Sequence, residues 1–153
     1  MTDSQYRAQL QQALRRRGRV ARSADDELIN GKRIAAGRNL MKFYAASEAR
    51  GGMAEEMIQR YLSIPGRGDE YDLRSTGVDA ISDILHFARS RGIPTENVIS
   101  AIEFGDEDVE TEGIAYAIHE IGAALSAAGH DFAAALDTAR GHVGVEAPGS
   151  RRL

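Results

Sequence analysis

The sequence predicts an all-α protein, a bundle of about seven helices. Three observations carry that expectation. Apolar residues recur at spacings of three and four along most of the 153-residue chain. Capping residues and glycines fall where those stripes begin and end. No stretch alternates apolar and polar residues with the β-branched enrichment of a half-buried strand. The length is that of one ordinary domain, so residues 1–153 are expected to share a single core.

In the first helix Tyr6, Leu10 and Leu14 recur every four residues behind Ser4, the expected N-cap, and Gly18 breaks the pattern. A second helix starts at Ser23, with Asp26 three residues on in capping-box style and Asp25 and Glu27 near the positive helix end. Leu28, Ile34, Met41 and Ala45 share its face, Gly31 and Gly37 weaken it, and Gly51-Gly52 stops it. Met53, Met57 and Tyr61 mark a short third helix closed by Pro65 and Gly66. Together these form a helical half over 1–63, and IPGRGDEYDLRSTG (64–77) reads as a linker.

The remaining helices form two hairpins over 78–146. Thr76 and Asp79 open the first of them, with Val78, Ile81, Leu85 and Ala88 inward; Gly92 ends it and Pro94-Thr95 starts the next, which carries Val98, Ala101 and Ile102. After an acidic connector, Ile114, Ile118, Ile121 and Leu125 make the cleanest stripe, expected to be the most buried. Gly129 closes that helix, and Asp131 caps a last one with Phe132, Leu136, Ala139 and Val143. The tail over 147–153 reads as frayed. A shift of 37 residues lays Ile81 on Ile118, Asp83 on Glu120, Ile84 on Ile121, Gly92 on Gly129 and Ile99 on Leu136. We read this as two helical hairpins sharing generic turn chemistry.

Composition narrows the function classes. With 42% apolar and 27% charged residues the chain is globular and not disordered. The absence of cysteine excludes disulfides, thiolate metal sites and cysteine nucleophiles. MTDSQYRAQLQQ has no apolar core of the signal-peptide kind, and no apolar run reaches about 18 residues, so a cytoplasmic protein with no membrane span is expected.

The net charge of −4 conceals a division. Residues 1–68 hold 13 basic and 7 acidic side chains, a balance of +6, whereas residues 69–120 hold 3 and 13, a balance of −10. Such a chain can present a basic and an acidic surface at once. The basic candidates for phosphate contact are Arg15, Arg16, Arg17, Arg19 and Arg22, then Lys32, Arg33, Arg38 and Lys42, with Phe43-Tyr44 adjacent. Arginine grips phosphate through a planar fork and stacks on bases, which suits a nucleic acid. Three successive arginines spread round a helix, so the end of a solvated helix is the competing reading. In GDEDVETEG (105–113), Asp106, Glu107, Asp108, Glu110 and Glu112 are expected to face a basic neighbour, either a larger subunit or a head-to-tail copy of the chain. The spacing is not that of an EF-hand.

No catalytic signature is present. Asp83 and His86 have the spacing of a di-iron ligand pair, but Asp79, Asp83, His86 and Ser90 fall opposite the Ile81/Leu85 stripe and are expected to face solvent or a partner. Glu55-Glu56, followed by Asp79 and Asp83, is distantly similar to the carboxylate pattern of the all-α nucleotide pyrophosphatases, with Gln59 and Ala80 standing where two magnesium ligands belong. Neither a metal nor another cofactor is expected.

The hairpin DAISDILHFARSRGIPTENVISAIEF (79–104) and the stretch AALDTARGHVGVE (134–146) resemble small all-helical accessory proteins of phages and plasmids of high-GC bacteria. In architecture the chain is also similar to the small subunits of CRISPR effector complexes. The resemblance implies a non-enzymatic role beside larger subunits, with basic side chains holding DNA or RNA strands, and it transfers no individual residue. An anti-defence inhibitor that binds a protein through its acidic half, and a degenerate pyrophosphatase, are the alternatives.

Overall fold

The computed structural model of the chain describes residues 2–15, 24–47, 53–65 and 72–146. They form seven helices and no strand: α1 (Asp3–Arg15), α2 (Ala24–Ala46), α3 (Ala54–Leu62), α4 (Leu73–Ser90), α5 (Thr95–Phe104), α6 (Val109–Ala127) and α7 (Phe132–Glu146). One apolar core runs from Tyr6 to Val143. None of the described helices is long and apolar enough to cross a membrane.

The helix starts differ in part from expectation. Thr2, not Ser4, caps α1: its hydroxyl accepts the N–H of Gln5 at 3.1 Å while Gln5 Oε1 accepts the N–H of Thr2 at 2.9 Å. This reciprocal box leaves Ser4 inside the first turn. Ser23 lies outside the described residues, as do Gly18, Gly51-Gly52 and residues 147–153. α4 begins within the expected linker, because Asp72 accepts both the Ser75 hydroxyl (2.9 Å) and the Arg74 N–H (3.2 Å). Those bonds, the Ser75 hydroxyl first, hold the Asp72 carboxyl below its ordinary pKa. Thr76 is therefore buried inside a helix that it was expected to open. Pro94 is the N-cap residue of α5, with Thr95 in the first turn, and Asp131 caps α7 as expected, accepting the N–H of Ala134 at 3.3 Å.

The expected turn glycines do their part through backbone shape. Gly92 and Gly129 sit at φ 81° and 89°, where a side chain is strained. Each ends its helix in the same two-bond turn. Ile93 N–H reaches Ala88 O at 2.9 Å and His130 N–H reaches Leu125 O at 2.9 Å, with Gly92 and Gly129 bonding Arg89 O and Ser126 O inside them. The 37-residue correspondence thus extends to hydrogen bonds.

Two helices occupy the middle. α6 buries Ile114, Ile118, Ile121 and Leu125 completely, as its stripe predicts. α4 is enclosed on nearly every side, packing on α2, α3, α5, α6 and α7. That enclosure overturns one expectation. Asp83 and His86 do not face solvent; they are 0% and 2% exposed, and Ser90 is buried too. The Tyr61 hydroxyl donates to Asp83 Oδ2 at 2.9 Å, and Ser90 bonds its own helix at Phe87 O. A wheel of one helix cannot show that a second layer covers its polar face. That layer comes close because α2 offers Gly37, where a Cβ would stand 2.2 Å from the Asp83 carbonyl oxygen.

Candidate nucleic-acid interface

On α2, Lys32, Arg38 and Lys42 are exposed, and Arg38 and Lys42 stand one turn apart on the same face. Arg33 is half-buried. Arg15 is exposed at the last turn of α1, while Arg16, Arg17, Arg19 and Arg22 lie outside the described residues. α3 brings a further cation that the basic run of the sequence does not include. Arg60 Nε donates to Asn39 Oδ1 at 2.7 Å, and its guanidinium lies 5.8 Å from the Phe43 ring centroid. Arg38, Lys42, Arg60, Asn39 and Ala35 together line a depression of about 170 Å³ between α2 and α3. Arg60 also walls a wider depression of about 400 Å³ with Phe43, Glu55, Glu56 and Gln59. Its partner Asn39 is 21 residues away in sequence, so no local pattern marks it.

Not every arginine of the basic half is available. Arg7 is 4% exposed, stacked 4.1 Å over Tyr44, with Nη1 donating to Tyr44 O at 2.5 Å. Its role is to hold α1 on α2.

The acidic connector is mostly committed to its own shape. Glu110 was expected to face a neighbour, yet it is buried in an ion pair with Arg91 at 2.6 Å. Arg91 Nη2 also donates to Ala13 O at 2.7 Å, so one guanidinium fastens the ends of α1 and α4 to the start of α6. Asp108 caps α6, accepting the N–H and hydroxyl of Thr111 at 3.0 and 2.8 Å. Asp106 Oδ1 accepts the N–H of Asp108 at 2.8 Å, and half-buried Glu112 accepts the N–H of Asp106 at 3.2 Å. Asp106 and Glu107 remain exposed.

The carboxylates of the pyrophosphatase-like pattern do not gather. Glu55 and Glu56 are exposed at the first turn of α3, whereas Asp83 is buried against Tyr61 near the helix's other end. Among the described residues no group of three His, Asp or Glu side chains could hold a metal ion. Comparison with known proteins finds no matching family model, no matching curated protein and no matching solved structure.

Proposed function

We propose that the chain is a non-enzymatic helical binding module, a subunit or accessory factor of a nucleoprotein assembly, which grips nucleic-acid phosphates through its basic half. The convergence of Arg38, Lys42 and Arg60 on one depression carries the reading. Two helices contribute to it, and Asn39 and Phe43 hold the Arg60 guanidinium before any ligand arrives. A planar fork fixed in this way loses little freedom on meeting a phosphate. Lys32 and Arg15 extend the exposed positive charge, and Arg16, Arg17, Arg19 and Arg22 continue it in sequence.

Fluorescence anisotropy of labelled single- and double-stranded oligonucleotides across a salt series tests the proposal. Each phosphate contact steepens log K against log salt by about 0.9 on duplex and about 0.7 on a single strand. Replacing Arg38, Lys42 and Arg60 by glutamine is expected to flatten that slope by about two to three units while leaving the helical circular dichroism intact. No binding at about 50 mM salt, or full retention of binding by the triple variant, would refute the reading.

A further inference from the structure

A groove of about 200 Å³ lies between α5 and α6. Its apolar walls come from Ala101 and Ile102 on one helix and Ala115 and Tyr116 on the other, with Glu112 and His119 at its polar edge. Gly105 shapes the mouth. It turns at φ 79°, and a Cβ there would lie 3.2 Å from Glu112 Oε1, the atom that holds the Asp106 N–H. The acidic connector is thereby fastened beside the groove. Glu103, Asp106 and Glu107, close to Gly105 in the chain, are exposed, and none is in an ion pair among the described residues.

Next to Gly105 stands Phe104, 78% exposed. Among the described residues the one other large apolar side chain left in water is Leu62, at 36%. Folding gains little from that phenyl ring, and an exposed apolar side chain one residue from the groove's Gly105 marks a contact surface. The charge around it specifies the visitor. Carboxylates repel a phosphate backbone and attract lysine and arginine, while the groove needs an apolar group to fill it.

We propose that the α5–α6 groove docks a basic segment of a protein partner, one that inserts an apolar side chain between Ile102 and Tyr116. Phe104 covers that anchor, and the partner's lysines or arginines face Glu103, Asp106 and Glu107. The site shares no residue with the phosphate depression, so it stands or falls independently of the proposed function.

The probe is a fluorescein-labelled helical peptide of about 14 residues carrying leucine on one face and lysine on the other, mixed with the full chain without nucleic acid. Two analogues exchange leucine for serine or lysine for glutamate. The leucine–lysine peptide is expected to bind, and each analogue about tenfold more weakly or not at all. Phe104→Ser, on the surface, is expected to weaken binding about tenfold without changing the melting curve. Asp106→Asn with Glu107→Gln keeps the Asp106 side-chain acceptor and is expected to flatten the salt dependence. Amide chemical-shift changes should fall on Ala101, Gly105 and Ala115. The proposal is overturned by undetectable binding at about 50 mM salt. It is equally overturned by a serine analogue that binds as well, by unaffected binding in Phe104→Ser, or by shifts elsewhere. A wild-type chain that self-associates in sedimentation and loses this in Phe104→Ser would give the groove to a second copy. An oligonucleotide that moves the same amides would also overturn the assignment to a protein.

Discussion

Replacing Gly37 by alanine sets two opposed effects against each other. Helix propensity favours the change, since a glycine inside a helix costs about 1 kcal/mol relative to alanine. Packing opposes it. The new Cβ would stand 2.2 Å from the Asp83 carbonyl oxygen, 2.8 Å from its carbon and 2.8 Å from the Phe87 Cβ. None of these is the movable end of a side chain, so α2 and α4 must separate to admit it. Overpacking of a rigid core costs about 1–3 kcal/mol, and with backbone as the obstacle the upper end applies. The net expectation is a loss of about 2 kcal/mol, after the gain in propensity is subtracted. Gly31, on the same helix, is the control, because a Cβ there meets nothing within 4 Å. Gly31→Ala is expected to gain about 0.5–1 kcal/mol. Urea unfolding followed by circular dichroism measures both, as do melting temperatures, which in a chain of this size move by about 2–4 °C per kcal/mol. A Gly37→Ala protein as stable as the wild type, or a Gly31→Ala protein that is weaker, would refute the close-approach argument.

Four further substitutions probe the core and its polar fastenings. Ile118→Asp puts a carboxylate where the side chain is 0% exposed and is expected to cost several kcal/mol, seen as loss of the cooperative melt. Glu110→Gln leaves the Arg91 guanidinium without its counter-charge at a nearly buried site; a loss of about 3 kcal/mol in urea unfolding is expected, and Arg91→Gln should cost a similar amount. Tyr61→Phe removes the hydroxyl that donates to the buried Asp83 and is expected to cost about 1–3 kcal/mol in the same assay.

Periodic and turn features were legible in the sequence because they are local. The stripe from Ile114 to Leu125, the glycines at 92 and 129 and the cap at Asp131 each depend on neighbours within a few positions. What stayed hidden depends on distant partners. Asp83 lies opposite the Ile81/Leu85 stripe, and what covers it is Gly37 of α2 and Tyr61 of α3, both distant in sequence. Glu110 looked like one more carboxylate in an acidic run until Arg91, 19 residues away, turned it inward. Arg60 gained its place in the basic depression through Asn39 and Phe43, on another helix. Asp72 and Thr2 were within local reach. Asp72 sits in a stretch whose glycines and proline read as a linker, and Thr2 sits two residues ahead of an equally good capping residue.

The acidic half has a second task besides presenting negative charge. Glu120 Oε1 receives the N–H of Met53 at 3.0 Å, just before α3 begins, and Asp83 receives the Tyr61 hydroxyl near its end. These are the two acids that the 37-residue correspondence superposes, one from each hairpin. α3, only nine residues long, is therefore pegged at both tips by carboxylates from the opposite half of the chain. An isolated helix of that length would not hold together in water. Arg60 rides on this pegged rod, so anions of the acidic half fix the helix that carries it, while Asn39 and Phe43 aim its guanidinium. Loosening either peg should blur the position of Arg60 before it unfolds the bundle.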